Sequence, residues 1–272
     1  MTAPAENRIE RKFRELKEQN RKAFVPYLTA GDPSPQATPR LVWALEEAGA
    51  DVVELGMPFS DPLADGVVNQ LSAQRALAAG TTPERVLEIV RAVRTRSEIP
   101  IVLYTYFNLI YAFGIERFCV LAHESGVDGV LVLDLPPEED VAPFAHLCRI
   151  SLVAPTSPPE RVALIVRNAS GFVYYVSREG VTGMQSDIAQ NAESRIALIR
   201  RHTSLPICIG FGISTPEQAR AVAQQADGAI VGSALVNQIA EHAGHPDLAE
   251  RLAAFARPLA QAIHGEPFTT ST

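Results

Sequence analysis

Cysteine, lysine and long apolar runs are what this 272-residue sequence has least of, and each shortage removes a class of function. Cys119, Cys148 and Cys208 are odd in number and show neither CxxC nor metal-type spacing. They predict small buried apolar residues in a reducing, cytoplasmic setting, with no disulfide framework. The only lysines, Lys12, Lys17 and Lys22, all precede the end of the first strand-like segment, so no later strand can offer a Schiff-base nucleophile. His123, His146, His202, His242, His245 and His264 fall in predicted helices or the carboxyl tail, and no metal site or histidine base is expected at a strand end. A formal net charge of −7 with no basic block excludes a nucleic-acid face, which needs clustered Lys and Arg. No segment is apolar enough for long enough to span a membrane, and the charged amino end lacks the apolar centre of a secretory signal.

What is present is apolar and periodic. At 47% hydrophobic and 20% charged residues, the chain can bury a large core. "EAGADVVELG", "ESGVDGVLVLD" and "QQADGAIVGS" each end a helical pattern, place an aspartate (Asp51, Asp128, Asp227) and launch a short apolar run. Eight such runs predict strands: "AFVPYLT", "DVVELG", "IPIVLYT", "DGVLVLD", "ISLVAP", "FVYYVS", "PICIGFG" and "DGAIVGS". Their continuous apolarity suits parallel strands covered on both faces. Helical stretches between them, several opened by a capping residue and Pro, complete the alternation. The pattern predicts an α/β fold of the (β/α)8 TIM-barrel type, although an open doubly wound sheet has the same count. A single domain over residues 1–272 is expected, with its core at about 22–264 and a disordered tail at 265–272. Ile9, Phe13 and Leu16, at helical spacing, predict an extra amino-terminal helix closing the barrel bottom.

Barrel chemistry collects where strands end. Glu54 lies near the end of the second strand; if Val53 and Leu55 face the helices, Glu54 faces inward, where an unpaired carboxylate is costly. With lysine and histidine eliminated, Glu54, Asp65, Tyr104, Asp134, Tyr174 and Thr182 remain at strand ends, and they imply acid/base chemistry. "GFGIS" and "GSA", after the seventh and eighth strands, read as a phosphate site, where glycines admit an anion to free backbone N–H groups and a helix amino terminus.

"FVPYLTAGDP", "ELGMPFSDPLADG", "SREGVTG", "GFGIS" and "VGSALV", in this order, resemble the tryptophan synthase alpha subunit family over residues 22–264. "ELGMPFSDPLADG" and "SREGVTG" are specific to that family; "GFGIS" with "GSA" is shared more widely among phosphate-binding barrels. The resemblance implies retro-aldol cleavage of indole-3-glycerol phosphate to indole and glyceraldehyde 3-phosphate, with no cofactor in this half. By it, Glu54 is the general acid and base, and Asp65 holds the indole N–H. Gly183, Gly212, Gly232 and Ser233 take the phosphate. Tyr27, Leu131, Leu133, Val153 and Phe211 become candidate indole walls, Tyr174 lines the pocket, and Thr182 positions Asp65 when a lid from Ser177 to about Asn191 closes. The resemblance also implies a partner beta subunit in an assembly of two alpha and two beta chains, with the Asp61 segment facing it. A stand-alone lyase and a non-catalytic, partner-activating barrel stay open beside this. Val67-Val68-Asn69 stands where the family usually has Pro-Thr-Ile, and Leu133 where it has Pro or a small residue. The connector into the fifth strand is several residues shorter than usual.

Overall fold

A computed structural model describes residues 6–139, 144, 146–177, 185–210 and 212–268, the side chains of 185–192 excepted. The chain runs through α1 (Arg8–Glu18), β1 (Ala23–Thr29), α2 (Thr38–Glu47), β2 (Val53–Gly56), α3 (Val67–Ala78), α4 (Pro83–Arg94), β3 (Ile101–Thr105), α5 (Phe107–Phe113), α6 (Ile115–Ser125) and β4 (Gly129–Val132). It continues through β5 (Cys148–Arg149), β6 (Ser151–Val153), α7 (Pro159–Arg167), β7 (Val173–Val176), α8 (Gln185–Arg200), β8 (Ile207–Gly210), α9 (Pro216–Ala223), β9 (Gly228–Val231), α10 (Ser233–Glu241) and α11 (Leu248–His264). Every strand pair is parallel, in the order β5-β4-β3-β2-β1-β9-β8-β7-β6. β5 and β6 are two halves of one strand around Ile150, whose N–H donates to the Val130 carbonyl at 2.9 Å. The first half pairs with β4 and the second with β7, so the two edges of the sheet are joined through continuous chain and an eight-stranded barrel closes.

Two apolar layers result from the strand pleat. Residues such as Val53, Leu55, Leu103 and Ile209 face outward and pack with the surrounding helices. Val25, Val102, Leu131, Ile150, Phe172 and Ile230 face the lumen and form a separate cluster with Ile9, Phe13 and Leu16 of α1. That helix is capped by the Asn7 side chain, which accepts from the Ile9 N–H, and it plugs the barrel bottom with Phe13 against Phe172 at 5.5 Å between ring centroids. The three cysteines are free and buried. No helix among the described residues is long and apolar enough to cross a membrane, and no group of three or more His, Cys, Asp or Glu could hold a metal ion there.

The repeated aspartates brace the lower rim. Asp51 Oδ2 accepts from the Phe24 N–H at 2.9 Å, Asp128 Oδ2 from Ile101 at 2.8 Å, and Asp227 Oδ2 from Ile207 at 2.9 Å. Each carboxylate thus ties the start of its own strand to the start of the preceding one, and each also has a cationic or imidazole partner: His264, Arg94 or Arg200. Among the described residues no helix separates β4 from β5, where Pro136 and Pro137 begin the connector. Arg149, on the outward parity of β5, leaves its Nη1 buried without a hydrogen-bond acceptor among the described residues.

Asp128 is buried and held by both Arg94 and Arg8, at 2.8 and 2.9 Å. Its removal strands the Arg94 cation and the Ile101 N–H at the far end of the barrel from the strand mouths. Asp128→Ala should therefore cost about 3 kcal/mol of folding stability in urea titration while leaving the turnover of the folded protein unchanged.

Candidate active site

The pleat of β2 aims Glu54 into the lumen, in Cα register with Tyr27 on β1 and Val102 on β3. The residue is 1% exposed, and its Oε1 is buried with no hydrogen-bond partner among the described residues. Burial disfavours the charged form. It pushes this carboxyl from the ordinary 4.5 up to about 8. The aromatic walls are set by neighbouring glycines. A Cβ on Gly56 would fall 2.3 Å from the Tyr27 hydroxyl, and one on Gly210 would fall 2.3 Å from the Tyr174 hydroxyl. Glycine at these two strand ends lets each tyrosine lie across the adjacent strand, above the lumen. Burial raises the pKa of both phenols, which therefore stay protonated.

Asp65 has the opposite surroundings. It lies on the loop between β2 and α3, where Tyr104 Oη donates to its Oδ1 at 2.9 Å and Tyr106 Oη donates to its Oδ2 at 2.7 Å. The Ala64 N–H donates to Tyr106 Oη at 3.0 Å, and the Gln70 side-chain amide donates to the Asp65 carbonyl at 2.9 Å. Tyr27 meets Tyr104 edge-on at 5.1 Å, so one aromatic wall runs from the Glu54 side of the mouth to the Asp65 side.

Across the mouth, α10 opens at Gly232 with no side-chain cap among the described residues, so the N–H groups of its first turn have no capping partner there. By contrast, the α9 terminus is closed by a capping box between Thr215 and Gln218. Ser233 is exposed, and Gly212 holds φ +57° with open space where a Cβ would lie. A Cβ on Gly232 would rest 3.6 Å from Tyr27, in ordinary contact. This terminus can receive an anion at the edge of the aromatic wall.

The structure brings Glu54, Tyr27, Leu131 and Tyr174 together in the lumen, with Asp65 on the loop above and Gly212, Gly232 and Ser233 at the loops after β8 and β9. Val153 does not join them. It belongs to the outer cluster with Val162 and Val166, and Leu152, paired with Tyr174, takes the inward position. Asp134 is spent on the Phe107 N–H at 2.6 Å. Thr182, Gly183 and Phe211 lie outside the described residues, as does much of the expected lid; from Gln185 the chain is α8 rather than loop. Tyr106 had no place among the expected site residues, since nothing local marks a tyrosine one position past a strand end as a carboxylate donor.

The arrangement has close counterparts. The family model for the tryptophan synthase alpha chain matches residues 13–264. The chain belongs to that family. It is 52% identical over 259 residues to the tryptophan synthase alpha chain of Opitutus terrae, covering 93% of this chain and 97% of that one. The corresponding chain of Geobacter sp. strain M21 is 49% identical, with 94% and 98% covered. Among solved structures, tryptophan synthase subunit alpha from Legionella pneumophila superposes with a TM-score of 0.88 at 39% identity, covering 96% of this chain and 100% of that one. Tryptophan synthase from M. tuberculosis in an aminoacrylate-bound form gives 0.85 at 32% identity, with 95% and 100% covered.

Among the described residues the Asn69 side-chain oxygen is buried without a hydrogen-bond partner, and Leu133 packs partly buried against the lumen cluster.

The Glu54 shift carries a linked stability effect. Its pKa is raised on folding, so the contribution is fully present below about 4.5 and is lost as pH climbs towards about 8. Glu54→Gln, which cannot ionise, should match the parent near the low end and exceed it in stability by a few kcal/mol at the high end, to order of magnitude. Paired urea titrations across that window check this; a constant difference between the two proteins contradicts it.

Proposed function

We propose that this chain cleaves indole-3-glycerol phosphate into indole and glyceraldehyde 3-phosphate, as the alpha subunit of tryptophan synthase in tryptophan biosynthesis, with Glu54 as acid and base and Asp65 as anchor of the ring nitrogen. The observation that carries this reading is the buried Glu54 carboxyl, whose Oε1 has no hydrogen-bond partner among the described residues and which is mostly protonated at neutral pH. It gives its proton to indole C3, leaving a positively charged ring nitrogen whose N–H points to the Asp65 carboxylate. As a carboxylate, Glu54 then takes the proton of the adjacent glycerol hydroxyl. The bond between C3 and that carbinol carbon breaks, its electron pair restores the indole ring, and the carbinol becomes an aldehyde. One proton has left Glu54 and one has returned. A neutral acid in a dry pocket beside a hydrogen-bonded carboxylate suits this division of labour.

Binding follows the same geometry. The α10 amino terminus at Gly232 and Ser233, with Gly212, receives the phosphate, while Tyr27, Leu131 and Tyr174 enclose the ring; the family resemblance adds Gly183 to the phosphate contacts, Phe211 to the ring walls and Thr182 as support for Asp65. The steps use side chains and backbone groups alone. Residues 1–272 act as one domain, in the cytoplasm, with a beta subunit. Leu63, Val67 and Leu71, which are 93%, 70% and 49% exposed, form an apolar face beside Asp61 that supports docking there.

Two substitutions test the roles separately. Glu54→Gln should cut indole release by at least about 100-fold, and Asp65→Asn by roughly 100- to 1,000-fold, each with glycerol phosphate affinity kept in calorimetry. Turnover near the parent's in Glu54→Gln sinks the acid/base role, and equal loss of turnover and glycerol phosphate binding in Asp65→Asn makes that residue structural. Assaying the parent with and without a beta subunit separates a coupled subunit from a stand-alone lyase.

Gly232→Val tests the anion site. Its Cβ has room to sit against Tyr27, so the fold should survive while the added methyl groups fill the approach to the α10 amides. Glycerol phosphate affinity should fall at least about tenfold. A folded variant that binds glycerol phosphate as the parent does places the anion elsewhere.

A further inference from the structure

We infer that Tyr104 is a positioning residue that acts through Asp65, fixing a loop-borne carboxylate to a barrel strand so that its remaining lone pairs face the ring nitrogen. The inference deepens the proposed function and rests on it. Asp65 is carried by the segment between β2 and α3, whereas Tyr104 stands on β3, in Cα register with Gly56 and Leu131. The loop would otherwise set the carboxylate's direction by its own conformation. A hydrogen bond of 2.9 Å from a rigid strand replaces that freedom.

The two donors to Asp65 divide the task. Tyr106 binds Oδ2 and also accepts from the Ala64 N–H, so it holds loop backbone and carboxylate together. Among the described residues the Tyr104 hydroxyl has only Asp65 Oδ1 as a hydrogen-bond partner, while its ring is held edge-on to Tyr27. Tyr104→Phe therefore removes one hydrogen bond and keeps the packing. An ionised carboxylate offers about four acceptor sites. The two phenols occupy one on each oxygen, and the free ones are left for the substrate's N–H. Without Tyr104, Oδ1 is unconstrained and the carboxylate can rotate about its Cβ–Cγ bond away from the ring.

A double-substitution cycle tests this. Tyr104→Phe should lower kcat for indole-3-glycerol phosphate by about 10- to 100-fold, the scale of one hydrogen bond to a charged group. Affinity for glycerol phosphate, which lacks the ring, should stay within about twofold, and the melting temperature should hold within a few degrees. Added to Asp65→Asn, the same change should lower the residual kcat by less than about twofold, because its effect passes through Asp65. An undiminished loss in that background overturns the inference, as does a parallel loss of glycerol phosphate affinity. Should the parent cleave no indole-3-glycerol phosphate, the proposed function fails, and the cycle is read instead as affinity for indole, whose N–H is the probe. Coupling between the two substitutions there supports the positioning role, and independent effects overturn it.

Discussion

A carboxyl group inside a barrel of apolar strands must either find hydrogen-bond donors or give up its charge, and among the described residues Glu54 has no donor on its Oε1. Much of the rest of the molecule keeps that condition. α1 seals the lower end of the lumen with Ile9, Phe13 and Leu16. Tyr27 and Tyr174 lie across Gly56 and Gly210 and bring aromatic surface to the upper end. Closure of the sheet through the split fifth strand leaves no open edge by which water could reach the carboxyl from the side. The result is an acid that holds its proton at neutral pH, as the first step of C–C cleavage requires.

Asp65 shows what the same functional group becomes in other surroundings. Two phenols donate to it, one per oxygen, and its place on a loop at the mouth leaves it partly exposed. A neutral acid and a hydrogen-bonded carboxylate thus face one pocket. The uncapped α10 terminus adds positive dipole across the mouth, suited to an anion attached to a substrate whose aromatic end reaches Asp65. Remote binding of that anion can hold the reacting bond in place beside Glu54.

Much of this was legible in the sequence because parallel strands buried on both faces leave an unbroken apolar run. "AFVPYLT" coincides residue for residue with β1. Other strands start later than their runs, since Asp51, Asp128 and Asp227 spend their side chains on the N–H groups of neighbouring strands and stay outside the ladder. Alternation placed Glu54 inward. The same rule, applied to the fifth strand, would have placed Val153 outward: Arg149 and Ser151 mark the outward parity that Val153 shares, and Leu152 has the inward one. The Tyr106 contact could not be read locally, because it exists only once the Asp65 loop folds back over β3. Pro136 and Pro137 signal the connector after β4, where no helix lies among the described residues, whereas the buried Nη1 of Arg149, without a partner among them, depends on what packs there.

The central claim is that burial keeps Glu54 protonated. A carbon-13 NMR titration of side-chain carboxyls in the substrate-free protein, with the Glu54 signal assigned by its loss in Glu54→Gln, measures this directly. The account predicts a midpoint of about 8. A midpoint at the ordinary 4.5 would mean that the lumen solvates or pairs the carboxylate, and the acid that begins the proposed reaction would then have to be another group.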